Sequence, residues 1–116
     1  MANPNLLTAS SVVGESVTSN FIGTGTTELL PAPGSGHVFR VVGLRILNLK
    51  NGTASTVTIT VEGAEILHQV NVPANGTLDV ITKDFPLYIK ESINLNASAS
   101  VASNTLRALI VYEDVS

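Results

Sequence analysis

Between Ser55 and Glu62 the chain alternates almost without fault: Thr56, Thr58, Thr60 and Glu62 fall on one side of an extended backbone, Val57, Ile59 and Val61 on the other. Successive side chains of a strand point to opposite faces, so this segment fits a half-buried β-strand and is out of phase with the 3.6-residue repeat of a helix. No stretch of the chain shows helical spacing. Further strand-like segments at 37–49, 64–72, 77–82, 86–89, 92–98 and 105–113 follow one another at short intervals. Asn51-Gly52 and Asn75-Gly76 lie between such segments and suit positive-φ turns, so hairpins are expected at both. Each also begins an Asn-Gly-Thr triplet, and Asn96-Ala97-Ser98 matches the same glycosylation pattern. Without a secretory signal these are turn and strand residues first.

Many short strands and no helix predict an all-β fold, an antiparallel β-sandwich of the jelly-roll or immunoglobulin-like kind. With 116 residues the chain suffices for one domain and can bury roughly 65% of its unfolded surface. Within it, residues 1–36 are rich in Ser, Thr, Asn and Gly, and their apolar residues come in pairs: Leu6-Leu7, Val12-Val13, Phe21-Ile22 and Leu29-Leu30. They read as an extended N-terminal arm with one or two short strands. Pro31-Ala32-Pro33-Gly34-Ser35-Gly36 then interrupts regular pairing, because proline donates no ladder hydrogen bond. The sandwich body is expected over 37–116.

Two segments depart from simple alternation. Residues 37–49 carry Phe39, Val41, Leu47 and Leu49 on one side and Val38, Val42, Leu44 and Ile46 on the other; 105–113 sets Leu106, Ala108, Ile110 and Tyr112 against Leu109 and Val111. A sandwich strand buries one face, so a strand apolar on both needs a second cover. Either the arm or another subunit could provide it, each buried side chain contributing about 1.5–3 kcal/mol.

Charge and chemistry remove several functions. Net charge is -3 and the six Lys and Arg residues are scattered, which argues against a nucleic-acid partner. No apolar run approaches the roughly 20 residues of a membrane span. The opening Met-Ala-Asn-Pro-Asn-Leu-Leu lacks the basic start of a signal peptide, so folding is expected in the cytoplasm where the chain is made. Absence of cysteine excludes thiolate nucleophiles and disulfides. His37 and His68 have no third residue spaced to join them on a metal, and His68, in phase with Ile66, Val70 and Val72, is expected half-buried with a hydrogen-bond partner. Glu62 and Glu65 flank a tight turn, and Glu113-Asp114 ends a strand; neither pair is expected to face another across a cleft as glycoside hydrolysis requires. Gly23-Thr24-Gly25 and Gly34-Ser35-Gly36 lack the lysine and helix of a phosphate loop. With no tryptophan, and with Tyr88 and Tyr112 in apolar strands, a sugar-stacking platform is poorly supplied. The expectation is a non-enzymatic protein without cofactor or metal.

Several segments resemble small virion structural proteins of tailed phages, particularly those infecting cyanobacteria and other marine bacteria. The resemblance rests on VPANGTLDVI at 72–81, PLYIKE at 86–91, NASAS at 96–100 and the terminal VYEDVS, with SGHVFRVVGLRILN at 35–48 and the opening MANPN fitting more loosely. One departure is that relatives carry a Gly-Asp pair after the segment matching Tyr88–Glu91, whereas here Lys90-Glu91 passes directly into Ser92. Contacts borne by that loop in relatives therefore do not transfer. The resemblance implies a capsid decoration or cement protein on the outer capsid surface of the virion, made in the host bacterial cytoplasm. Its expected partners are the major capsid protein and itself, a homotrimer ahead of a homodimer. Leu44, Ile46, Leu109 and Val111 are the expected subunit contacts, and Leu6, Leu7, Val12 and Val13 the capsid contacts. The alternatives are a tail, neck or fibre component of the same virion, and a carbohydrate-binding adhesion module.

Overall fold

The computed structural model describes residues 11–101 and 105–116, which form an all-β protein of two packed antiparallel sheets. In chain order the strands are β1 (Val12–Thr18), β2 (Thr27–Leu30), β3 (Val38–Asn48), β4 (Ser55–Val61), β5 (Ala64–Val72), β6 (Thr77–Ile81), β7 (Leu87–Ile89), β8 (Leu95–Ala99) and β9 (Leu106–Val115). The front sheet has the order β1-β9-β3-β6, with β7 also paired to β3; the back sheet has the order β2-β8-β4-β5. β1 therefore pairs with β9, β2 with β8, β3 with β6 and β7, and β4 with β5. Nested pairing of first with last and second with next-to-last is that of a long hairpin wound into two facing sheets, the jelly roll rather than the immunoglobulin arrangement.

The core lies between the sheets. Ile22, Leu29, Leu30, Leu44, Ile46, Val57, Ile59, Leu95, Leu106, Ala108 and Ile110 are all buried there. β4 and β8 meet the expectation of one apolar face: Ser55, Val57 and Ile59 with Leu95, Ala97 and Ala99 point inward, while Thr56, Thr58, Asn96 and Ser98 point out.

β3 is not apolar on two faces in the way its sequence suggests. Its register against β9 shifts between Val41 and Gly43, one extra residue on β3. Such a bulge reverses which residues face inward. Before it Phe39 and Val41 face the core; after it Leu44 and Ile46 do, at 1% and 0% exposure. Leu44 and Ile46 are thus corrected from subunit contacts to core residues. Their neighbours on β9 keep the expected orientation: Leu109 is half-buried and Val111 exposed on the outer face.

The two Asn-Gly turns also differ from expectation. Neither closes a hairpin, because the flanking strands belong to different sheets: residues 49–54 lead from β3 in the front sheet to β4 in the back, and residues 73–76 return from β5 to β6. Positive φ falls on Gly52 in the first and on Asn75 in the second. Asn75 Nδ2 donates to Asn51 Oδ1 at 3.0 Å, tying the two crossings together. Beneath them the buried Asn48 side chain donates to the carbonyls of Thr53 and Val72 at 2.8 and 3.0 Å. The tight hairpin of the back sheet is Glu62-Gly63, where both residues have positive φ.

The described part of the N-terminal segment is woven into the sandwich. β1 joins the front sheet, Ile22 bridges to Leu106, and β2 joins the back sheet with Leu29 and Leu30 buried. Leu6 and Leu7 lie outside the described residues.

Candidate functional site

The front sheet's outer face carries a groove of about 330 Å³ lined by Gly43, Leu44, Arg45, Asp79, Ile81, Thr82, Leu109 and Val111. Its origin is the bulge. The shift places Gly43 opposite Val111, and a Cβ built on Gly43 would lie 3.5 Å from the Val111 Cβ. A glycine at this point leaves the valine side chain as the groove's floor and wall. At the same level the partner strand on the other side is interrupted: β6 ends at Ile81 opposite Leu44, and β7 begins at Leu87 opposite Val41. Residues 82–86 loop away between them, so the groove opens where two irregularities coincide.

One wall is charged. Arg45 Nε donates to Asp79 Oδ1 at 2.6 Å and its Nη2 to Oδ2 at 3.4 Å. The hydrogen bond from Arg45 holds the Asp79 carboxyl below its usual range, and the same bond raises the guanidinium. Both side chains are half exposed. A pair this open sets the pattern of charge on the rim more than the stability of the fold.

A second feature of the front sheet is β1, whose residues are exposed along its whole length, Val12, Val13 and Val17 included. The hydrogen bonds from Ser11 N to Ser116 O and from Ser19 N to Ala108 O direct the odd-numbered backbone groups toward β9. N–H and C=O groups of Val12, Gly14, Ser16 and Thr18 therefore point away from β9, along an edge that pairs with no other strand among the described residues. Glu15 fastens the strand: its carboxylate accepts a 2.6 Å hydrogen bond from the Tyr112 hydroxyl. That bond, followed by burial, pushes the Tyr112 hydroxyl up to about 12. The Tyr112 ring packs at 4.8 Å from Phe39.

The ionisable residues singled out in the sequence are distributed rather than convergent. Glu113 accepts from Arg40 at 2.7 Å, and Asp114 lies 2.7 Å from Nδ1 of His37, the residue before β3, so both terminal acids have side-chain partners rather than being solvated alone. The Arg40 guanidinium is raised by its bonds to Glu113 and then Tyr88. His68 bonds Glu65 on its own strand and is exposed rather than half-buried. The reason is local: Gln69 takes a φ of 46° and the β4–β5 register shifts beside it, so alternation along β5 is broken. No group of three or more His, Asp or Glu residues able to hold a metal occurs among the described residues.

The back sheet offers a smaller depression of about 110 Å³, lined by Thr56, Thr58, Gln69, Ser98, Ala99 and Ser100. It presents hydroxyls and an amide and no aromatic ring.

Of the expected contact residues, Leu109 and Val111 border the groove, Val12 and Val13 stand on the exposed edge strand, and Leu44 reaches the groove only as a buried residue of its floor. Ile46 is not part of the site. Gly43, Asp79 and Thr82 were not expected there. A lone glycine amid branched residues in β3 is the one sequence signal that marks the groove, since such a glycine often signals a bulge. No protein-family model matches this chain, and no curated protein matches it.

Proposed function

We propose that the chain is a non-enzymatic virion structural protein, a decoration or cement protein that binds the outer head shell of a tailed phage through the major capsid protein. The observation that carries this reading is the asymmetry of the molecule: a groove with apolar walls and one charged wall shares the front sheet with an exposed valine-bearing edge strand, while the depression of the back sheet is lined by hydroxyls and an amide. An apolar concavity beside an open strand edge is suited to protein contact, the groove by side-chain burial and the edge by strand addition. Val12 and Val13 on that edge are the proposed shell contacts, with Leu109 and Val111 at the groove. The segment resemblance supplies the class of particle. On a repeating lattice many weak contacts add, and the shell is held against outward pressure without any single strong bond.

The jelly roll by itself does not choose, because viral capsid and lectin domains both use it. The carbohydrate reading has one observation in its favour, the hydroxyl-lined depression of the back sheet. At about 110 Å³ it falls below the roughly 300 Å³ of ordinary ligand pockets and has no ring on which a sugar could stack. Placement decides among the readings. Virions released from the cells that express the chain should be purified and the chain located by quantitative proteomics and antibody labelling. Many copies spread over the head are expected. A few copies at the tail would favour the tail, neck or fibre reading, and absence from the particle would overturn both.

A further inference from the structure

Asn51-Gly52-Thr53 and Asn75-Gly76-Thr77 are the same triplet, set in the two crossings between the sheets. An Asn-Gly pair is open to a reaction of its own backbone, in which the glycine nitrogen attacks the carboxamide of the asparagine before it. Nucleophile and electrophile are held one residue apart, and glycine has no Cβ to obstruct the approach. Shared sequence gives the two sites similar reactivity in an unfolded chain, so a difference between them belongs to the fold.

The fold treats the two glycine nitrogens oppositely. Gly76 N donates to Pro73 O at 2.9 Å, and a Cβ built on Gly76 would lie 2.7 Å from Pro73 Cγ, so this nitrogen is both committed and hemmed in. Gly52 N makes no hydrogen bond among the described residues, and a Cβ built on Gly52 would meet nothing within 4 Å. Asn51 and Gly52 are exposed, while the chain on either side of them is clamped: Lys50 N donates to Asn48 Oδ1 at 2.9 Å, and Thr53 O accepts from Asn48 Nδ2. The electrophile is assisted as well. Asn51 Oδ1, where negative charge gathers as the carboxamide is attacked, accepts the 3.0 Å bond from Asn75 Nδ2. A donor aimed at a developing oxyanion lowers the barrier.

We propose that Asn51 is a modification site: in the folded protein it cyclises onto Gly52 and deamidates, with Asn75 as the donor to the reacting carboxamide and itself protected. Gly52 N loses its proton and bonds to Asn51 Cγ; the Cγ–Nδ2 bond breaks, and ammonia leaves with the equivalent of that proton. The cyclic succinimide then takes up a water. Opening at Cγ gives aspartate in an unaltered backbone, and opening at the main-chain carbonyl gives isoaspartate, whose main chain runs through Cβ and Cγ. Water is the only co-reactant, and nothing is oxidised or reduced. Either product sets a new carboxylate on the crossing end of the sandwich. Isoaspartate also lengthens the β3–β4 crossing between the points that Asn48 clamps. The proposal stands independently of the virion reading.

Peptide mapping by mass spectrometry tests this on the full chain held in mildly alkaline buffer, with the same chain in urea as the reference. In urea the two triplets should deamidate at similar rates. In the folded chain Asn51 should outpace Asn75 by about 5–10-fold, the factor that one retained hydrogen bond on Gly76 N supplies. Its products should be aspartate and isoaspartate, which separate chromatographically as distinct peptides of one mass. Asn75→Gly keeps the positive φ of its turn and removes the donor, so Asn51 should slow about 3-fold with the melting transition retained. Asn75 reacting as fast as Asn51 in the folded chain, a ratio of the two that is the same folded and unfolded, or an Asn51 that reacts only in urea would overturn the site. An unchanged Asn51 rate in Asn75→Gly would overturn the role given to Asn75.

Discussion

The two outer faces of this sandwich share antiparallel pairing, yet one presents rows of hydroxyls and amides while the other sets apolar side chains beside a charged pair. On the back sheet Thr56, Thr58, Asn96 and Ser98 meet water in unbroken alternation with the core residues between them. On the front sheet the corresponding rows carry Leu109, Val111 and a glycine, and the rows are broken by a bulge in β3 and a loop between β6 and β7. The difference teaches that a regular strand hides its apolar residues by alternation alone, whereas an irregular one opens a concavity and leaves apolar walls around it. The bulge in β3 and the break between β6 and β7 together open the groove, and the outward Leu109 and Val111 of β9 give it apolar walls.

That contrast breaks first at Ile46. If the bulge sets the parity, Ile46→Ala cuts a cavity in the core and lowers stability by about 2–5 kcal/mol in a urea titration. A loss no larger than that of a surface substitution would return Ile46 to the outer face and remove the bulge from the explanation. A smaller effect is expected at the seam between the sheets. Asn48→Ala removes the donor that the carbonyls of Thr53 and Val72 now share, the Val72 bond being the buried one, which should cost about 1–3 kcal/mol. Full stability in that variant would mean that the two Asn-Gly crossings hold the faces together unaided.

How far the sequence discloses these faces depends on the strand. β4 and β8 are readable because alternation survives from end to end and nothing in the fold contradicts it. The same reading applied to β3 places Leu44 and Ile46 outside, since counting by twos from Phe39 carries the wrong parity past Gly43. Leu109 and Val111 lie on the outer face, as alternation places them, because β9 has no bulge within that run. The groove itself is not legible: Asp79 and Thr82 reach it through the β3–β6 pairing, and which strands pair is a property of the winding rather than of any one segment. Asn51-Gly52 and Asn75-Gly76 announce turns faithfully, but a turn says nothing about whether the strand after it stays in the same sheet. In β5, Gln69 adopts a backbone conformation that glutamine does not advertise, and His68 is displaced to the surface with it.

The edge of the front sheet gives a finer test through pH. The folded chain raises the Tyr112 hydroxyl from an ordinary 10.0 to about 12, chiefly through the bond to Glu15. A group raised on folding contributes stability that is complete below the unfolded value and is lost as pH climbs through the folded one. Thermal melts of the wild type should therefore lose stability between about pH 10 and pH 12, and Tyr112→Phe should remove that share of the loss. Identical profiles in the two proteins would show that Glu15 does not fasten β1 through this hydroxyl. The smallest effect belongs to the back face, where Thr58→Ala should change stability by within about 0.5 kcal/mol; its hydroxyl accepts only the Gln69 N–H at an exposed position. A larger loss would mean that the hydroxyl row is structural.

The most direct measurement places one lysine on each face and weighs the chain bound to purified virions. With both proteins shown to be folded by their melting transitions, Val111→Lys should cut bound chain to about a tenth or less, while Thr58→Lys binds as the wild type does. Equal binding by the two variants, or loss with Thr58→Lys alone, would contradict the assignment of the front face as the docking face.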